Sequence, residues 1–320
     1  MSNQTIRIFT VASDVSKMAG LYESASIAGI NRDMIEVLEV KNWRGFIDKI
    51  LAMKSCVESL PDDTIVCFID AYDVLSFGGL EEIKRKFVEY KADIIFSSEL
   101  NCYPIENLAR YEMIEYNLYD MAYQCPMGTM RKRPFWVRPI ETNYKYVNSG
   151  GYIGYAGSLK EMFSWKSIDE IERIIELGGD QNFFTQFYLE FADIGYNGSV
   201  VAIDDHQRIF QSLYKVDLAD FSFHRGRLYN HVLRTYPCFV HFNGYRDYGW
   251  VLRNIETGSM ENAMEMFLRL MKQSVRDGNC AMTGRLMPFY YGGIPQMCIP
   301  QRIWGEGDEN GRGLLRHFSR

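Results

Sequence analysis

The chain has no apolar run approaching the length of a membrane span, so no part of it is expected to cross a bilayer. Its first residues, Met1-Ser2-Asn3-Gln4-Thr5-Ile6-Arg7, show no basic segment followed by an apolar stretch, and no leader is read there. The expectation is a cytoplasmic protein, or a lumenal one arriving by a route the sequence does not display. Paired cysteine spacing is also missing. Cys56, Cys67, Cys102, Cys125, Cys238, Cys280 and Cys298 are scattered and odd in number, which points to free thiols of a reducing compartment and away from a zinc centre. A basic excess is lacking too: 35 Lys and Arg against 41 Asp and Glu leave a net charge of −6, which disfavours nucleic acid as the main partner. The short run Arg131-Lys132-Arg133, followed by Pro134, reads as a solvated loop. Neither an internal repeat nor a low-complexity segment is present.

Against these absences stand 320 residues, 47 % hydrophobic and 14 % aromatic, enough for a large core in one α/β domain or two smaller ones. Ile65-Val66-Cys67-Phe68-Ile69 is the clearest element. Five apolar residues between Pro61-Asp62-Asp63 and Asp70 read as a strand buried on both faces. Ile6 to Val11 reads as a first strand leading into Ala12-Ser13-Asp14. The spacing of Phe46, Ile47, Ile50, Leu51, Met53 and Val57 predicts a crossover helix over 46–60, and Leu80, Ile83, Phe87 and Val88 mark the apolar face of a second helix. Ile94-Ile95-Phe96-Ser97 is a further short strand. Two such crossovers make a nucleotide-binding, parallel sheet the leading architecture.

Residues 101–145 lack a clear period and are expected to form a long, partly irregular excursion over a site. Asn148 to Tyr155 is a glycine-rich strand whose glycines signal close backbone approach to a ligand, or a bulge. Ser158-x-x-Glu161 and Ser167-x-x-Glu170 read as capping boxes, and Gly178-Gly179 as a stop. Asp180 reads as the cap of a helix whose Phe183, Phe184, Phe187, Tyr188 and Phe191 form a core stripe. Val200 to Ile203 and Arg208 to Leu213 are predicted strands of the same sheet, and Cys238 to Val240 a strand ending in His241. A last helix is predicted over 261–275. The tail past Gly278 carries too little pattern for a fold reading, and could dock on its own core or on a second chain, so a homo-oligomer stays open.

Asp70, Asp73 and His241 each stand at the end of an apolar run. Two carboxylates and an imidazole suit Mn²⁺ or a related ion better than Ca²⁺, which prefers oxygen alone. Solvated acids and an ordinary hydrogen-bonding histidine remain the plain alternatives. A haloacid-dehalogenase-like phosphatase also ends a strand in two aspartates, but there the second acid follows at two residues. Ala71 and Tyr72 make the spacing three here, which counts against an aspartyl-phosphate enzyme.

Seven blocks in order carry a resemblance. They are Phe9 to Ala12; Phe68-Ile69-Asp70-Ala71-Tyr72-Asp73-Val74; Phe96-Ser97-Ser98-Glu99 with Cys102-Tyr103-Pro104; Asn148 to Gly154; Asp180-Gln181-Asn182-Phe183-Phe184-Thr185; Arg208 to Gln211; and Val240-His241-Phe242-Asn243-Gly244. Together they resemble the glycosyltransferase domain of the procollagen lysyl hydroxylases, a GT-A fold. The resemblance implies an α/β fold with a largely parallel central sheet flanked by helices, occupying 1–255, with 256–320 as an extension packing on it. With no room for hydroxylase domains in 320 residues, a stand-alone glycosyltransferase is expected.

By activity, the resemblance implies a Mn²⁺-dependent transferase that moves glucose from UDP-glucose to galactosyl-hydroxylysine of collagen-like chains, with retention. A nucleotide-sugar donor and a collagen-like or other glycosylated acceptor are the implied partners, with no nucleic acid and no membrane. UDP-galactose, a non-collagen acceptor, or a non-catalytic UDP-sugar-binding protein are the alternatives. Carried over by position, Asp70, Asp73 and His241 would hold the metal. Tyr72 would stack on uracil, with Thr10 and Val11 lining the base pocket; Lys49, Asn243, Gly244 and Arg246 would lie near the diphosphate. Asn148, Ser149, Gly150 and Gly151 would face the sugar, with Asp180, Gln181 and Asn148 nearest the chemistry. The sequence departs from the family in three places. Leu177-Gly178-Gly179-Asp180 keeps one acid where the family has a run of aspartates, Tyr103 replaces a tryptophan, and Arg246-Asp247 follows where a lysine is usual.

Overall fold

The computed structural model describes residues 4–123, 139–244, 260–277, 289–291 and 294–296. In chain order the first half runs β1 (Ile6–Ala12), α1 (Ala19–Ile27), β2 (Ile35–Glu39), α2 (Phe46–Glu58), β3 (Ile65–Ile69), β4 (Val74–Ser76), α3 (Leu80–Tyr90), β5 (Ile94–Glu99) and α4 (Leu108–Tyr123). The second half runs β6 (Tyr146–Tyr155), α5 (Ala156–Ser164), α6 (Ile168–Glu176), α7 (Gly179–Phe191), β7 (Val201–Ile203), β8 (Phe210–Ser212), β9 (Phe221–His224), β10 (Arg227–Asn230), β11 (Phe239–His241) and α8 (Met260–Arg276). Phe289–Tyr291 and Ile294–Gln296 pair as a short ribbon.

The central sheet has the order β2-β1-β3-β6-β5-β7. β1 pairs parallel with β2 and β3, and β5 with β7, whereas β6 is antiparallel to both of its neighbours. This is the largely parallel, helix-flanked α/β sheet expected. Both faces of β3 are buried because side chains alternate across a strand: Val66 and Phe68 enter one apolar cluster, Ile65, Cys67 and Ile69 the other. The first cluster is closed by α2, α5 and α7, whose Phe183, Phe184, Phe187 and Tyr188 are buried as the stripe predicted. Truncation at its centre, Phe68→Ala, would leave a void worth about 3–5 kcal/mol.

Several expectations need correction. The predicted crossover from β1 through α2 to β3 contains an extra unit, α1 and β2. β2 is a peripheral strand, with Val37, Leu38 and Glu36 only half-buried, so its alternation is weak. Residues 108–123 form a sixteen-residue helix within the stretch read as an irregular excursion, anchored by buried Tyr111, Ile114 and Leu118; residues 124–138, with Cys125, Arg131 and Pro134, lie outside the described residues. On α3, Val88 is exposed while Lys86 is buried, its ammonium paired with Glu82 and donating to the Arg208 carbonyl. Ser167 forms the predicted capping box with Glu170, but Ser158 sits inside α5 and bonds Ser199 instead. α7 starts at Gly179, so Asp180 lies within its first turn, not at its cap.

β8 does not extend the central sheet. It joins a second sheet of order β4-β11-β8, in which β11 runs antiparallel to β4 and parallel to β8. That small sheet carries a third apolar cluster, and α8 covers it with Met264, Phe267, Leu268 and Met271. Among the described residues Cys56, Cys67, Cys102 and Cys238 are free thiols, and no helix is long and apolar enough to cross a membrane.

Candidate active site

The carboxyl end of β3 delivers Asp70, and four residues later, at Val74, the chain enters β4 of the second sheet. Pairing of β11 with β4 sets Val74 opposite His241, and the Phe242 amide donates to the Asp73 carbonyl at 2.8 Å. The register of two short strands therefore brings Asp73 beside His241. Asp70, Asp73 and His241 each offer a ligand atom within 4.8 Å of the others. His241 Nε2 lies 3.1 Å from Asp73 Oδ2 and 3.7 Å from Asp70 Oδ2. Burial disfavours the imidazolium, but Asp73 and then Asp70 outweigh it and hold His241 above its ordinary pKa. Burial also pushes carboxyl groups up; it prevails at Asp70 against Lys49, whereas at Asp73 the charge and hydrogen bond of His241 prevail and lower the pKa.

Lys49, in the first turn of α2, reaches under this group. Its Nζ is 2.6 Å from Asp70 Oδ1, 2.6 Å from Asp180 Oδ2 and 3.3 Å from the Ser149 carbonyl, and it stands 4.9 Å over the Phe68 ring. Burial would strip the proton from a lone ammonium, yet Asp180 and Asp70 together raise the Lys49 pKa. Two carboxylates, one cation and a ring thus tie α2, β3 and α7 together.

β6 skirts the site through a register jump: Phe96 pairs with Tyr152, then Ser97 with Asn148. The residues between bulge out, the kind of irregularity that re-aims side chains beside a site. Asn148 Oδ1 lies 2.8 Å from His241 Nδ1 and accepts the Gly150 amide at 3.0 Å, while its Nδ2 donates to Glu99 Oε1 at 3.1 Å. A Cβ on Gly150 would stand 2.0 Å from His241 Cε1, so the imidazole occupies space only a glycine leaves. Gly151 faces elsewhere; a Cβ there would meet the Phe210 ring.

Glu99, at the carboxyl end of β5, is the residue not assigned from the sequence. Besides Asn148, it accepts from Gln181 Nε2 at 2.8 Å and from Asn243 Nδ2 at 3.0 Å. Burial outweighs the pull of those amides and leaves its carboxyl raised to about 7. The signal was present: like Asp70, it is an acid closing a buried apolar strand. Asn243 also accepts from Ser212 Oγ and the Tyr214 amide. Gly244 follows with φ of +69°, its bare face against the Tyr214 ring; Arg246 lies outside the described residues.

Tyr72 is half-buried in the turn between Asp70 and Asp73. Its phenol oxygen accepts from the amides of Ser13 (2.8 Å) and Asp14 (2.9 Å), fixing its ring beside the loop that leaves β1. Thr10 and Val11 are buried in the last part of β1, and the Thr10 hydroxyl has no hydrogen-bond partner among the described residues. The structure thus joins Asp70, Asp73, His241, Lys49, Asp180, Asn148, Ser149, Gly150, Gln181 and Asn243 in one network, with Tyr72 in the turn between the two aspartates and Thr10 and Val11 at the neighbouring end of β1.

Fold and site define an α/β protein with a cation-competent acidic centre at the carboxyl ends of its strands, where such sheets place their ligands. Residues 2–117 and 137–251 match the family described as the PLOD GT domain, and the chain belongs to that family of glycosyltransferases. An uncharacterized protein of Acanthamoeba polyphaga mimivirus is 28 % identical over 225 residues, 67 % of this chain and 40 % of that protein. The Gallus gallus procollagen-lysine,2-oxoglutarate 5-dioxygenase 1 is 28 % identical over 226 residues, 66 % of this chain and 26 % of its own. The Homo sapiens multifunctional procollagen lysine hydroxylase and glycosyltransferase LH3 is 30 % identical over 203 residues, 61 % of this chain and 23 % of its own. The chain therefore spans two fifths or less of these curated relatives. Among solved structures, the galactosyltransferase LgtC matches at 11 % identity and a TM-score of 0.40, over 84 % of this chain and 96 % of that one.

Proposed function

We propose that the protein is a Mn²⁺-dependent, retaining hexosyltransferase that transfers glucose from UDP-glucose to galactosyl-hydroxylysine in collagen-like polypeptides. The observation that carries this reading is the convergence of Asp70, Asp73 and His241 within 4.8 Å, in a chain of the PLOD GT domain family. The donor set fits the ion: two carboxylate oxygens and one imidazole nitrogen suit Mn²⁺, and Gly150 leaves the imidazole the room it needs. When bound, the ion would neutralise charge developing on the leaving diphosphate.

The chain's own groups supply the remainder. The Tyr72 ring, pinned by two backbone amides, offers a flat face to a base. The orphaned Thr10 hydroxyl suits the polar edge of such a base. Lys49 holds Asp70 and Asp180 in fixed orientation, and Gln181 is held by Glu99. Incubation with UDP-glucose, Mn²⁺ and a galactosylated hydroxylysine peptide should release UDP and lengthen the glycan by one hexose. Absence of turnover with every UDP-hexose would overturn the enzyme reading.

A binding-only protein is the second reading, and one observation favours it. Asp180, the single acid left before Gln181, is neutralised by Lys49 at 2.6 Å and so is not a free carboxylate. Measurable Mn²⁺ and UDP affinity without sugar transfer would select this alternative.

A further inference from the structure

The hydrogen-bond polarity around Asn148 can be deduced without reference to any bound ion. The Gly150 amide is an obligate donor and lies 3.0 Å from Asn148 Oδ1, so that atom is an acceptor. On the other side, the Asn148 amide nitrogen faces Glu99 Oε1 at 3.1 Å, an oxygen that also accepts from Gln181 Nε2, itself bonded to the Tyr103 carbonyl. The Gly150 amide therefore fixes the orientation of the Asn148 side chain, and the acceptor role of Glu99 Oε1 agrees with it. His241 Nδ1, 2.8 Å from that same Oδ1, must then be the donor. The lone pair left on neutral His241 is on Nε2, the nitrogen that faces Asp73 at 3.1 Å and Asp70 at 3.7 Å.

We infer that Asn148 and Glu99 form a polarity relay that fixes Nδ1 of His241 as the donor nitrogen and turns Nε2 toward the two aspartates, making both of them positioning residues for the metal site although neither belongs to the ligand trio. This rests on the metal reading above for its function, and on hydrogen-bond geometry alone for its structure. The relay continues past Glu99, which also takes the Gln181 and Asn243 amides. One buried carboxylate thereby couples the imidazole to α7 and to the loop after β11. Asn148 is 2 % exposed and Glu99 4 %, so water offers neither an easy substitute partner.

Polarity, more than volume, is what the relay transmits. Glu99→Gln keeps the shape but can present an amide to Asn148. If Asn148 turns to suit it, Nδ2 then meets two donors, the Gly150 amide and His241 Nδ1–H. Adding Asn148→Asp restores the pattern, because a carboxylate accepts from the Gly150 amide, from His241 Nδ1–H and from the side-chain amide introduced by Glu99→Gln alike.

Two readouts test this. In metal-free, ¹⁵N-labelled protein, long-range ¹H–¹⁵N correlation of the histidine rings should show His241 protonated at Nδ1, its signals identified among five histidines by their loss in His241→Gln. Mn²⁺ alone, titrated by electron paramagnetic resonance, should bind Asn148→Ala and Glu99→Gln about 10- to 100-fold more weakly than the unaltered protein, with the Glu99→Gln/Asn148→Asp pair recovering most of the loss. Affinities within twofold for both single variants, a double variant no better than Glu99→Gln, or a ring protonated only at Nε2 would overturn the relay. Should a variant fail to fold, the ring spectrum of the unaltered protein still decides. Failure of the unaltered protein to bind Mn²⁺ would count against the metal reading alone, and the protonated nitrogen of His241 would continue to support or overturn the relay.

Discussion

Lys49 is the residue on which the site's charge balance turns. Among the described residues its ammonium is the cation placed between Asp70 and Asp180, and both contacts are 2.6 Å. Removing one partner of a buried ion pair leaves the other uncompensated, which costs about 3–5 kcal/mol. Lys49→Met should lower unfolding stability in chelator-treated protein by that order, read from urea midpoints. Gly150→Ala makes a separate demand, because its Cβ would fall 2.0 Å from the His241 ring. That variant should lose Mn²⁺ affinity while keeping its far-ultraviolet circular dichroism. Glu99 gives a pH prediction. Its folded pKa, about 7, is raised from 4.5, so the neutral form is favoured by folding. The corresponding stability is fully present below pH ~4.5 and is lost as pH rises through about 7, a change on the order of 3 kcal/mol. Glu99→Gln should flatten the stability profile between those pH values, and a profile parallel to that of the unaltered protein would contradict the shift. Asp70 and His241 were legible in the sequence because each ends an apolar run, and Asp73 because it follows Asp70 after a two-residue turn. Glu99 ends an apolar run too, but a single acid without a spaced partner gives no metal signal, and its three amide partners come from distant segments.

At the scale of elements, periodicity served where burial is strong. β3 and the aromatic face of α7 are buried on dense apolar patterns, and both were legible. α4 was not: Tyr111, Ile114 and Leu118 have helical spacing, but they are diluted by Tyr, Asn and Met, and three of the large side chains, Met113, Tyr116 and Tyr119, face outward. The capping boxes show the limits of local motifs. Ser167 and Glu170 satisfy each other's backbone, whereas Ser158 is committed to Ser199. Ser167→Ala should therefore cost about 1 kcal/mol, and Ser158→Ala should not show the loss of a helix cap in peptides spanning α5. Helicity of isolated 155–165 and 166–177 peptides, with and without each serine, would measure this difference.

For the whole molecule, the parallel sheet followed from two crossovers, but the second sheet did not. β4, β8 and β11 are three residues each, too short for a pattern, and only their pairing brings Asp73 to His241. Residues 70 and 241 meet because two sheets join, which is a tertiary fact and not a local one. A ligand that binds only the folded protein stabilises it by about 2.7 kcal/mol at one hundred times its dissociation constant. UDP with Mn²⁺ should accordingly raise the thermal midpoint by several degrees, and UDP with a chelator should raise it much less.

The central claim is that Asp70, Asp73 and His241 are one divalent-cation centre serving a nucleotide diphosphate. Calorimetric titration of Mn²⁺ into the UDP-saturated protein, beside the Asp73→Ala variant, tests it most directly. One equivalent bound by the unaltered protein, with affinity lost in Asp73→Ala while the variant remains folded, is the result predicted. Undiminished binding by Asp73→Ala, or no saturable Mn²⁺ site in the unaltered protein, would contradict it.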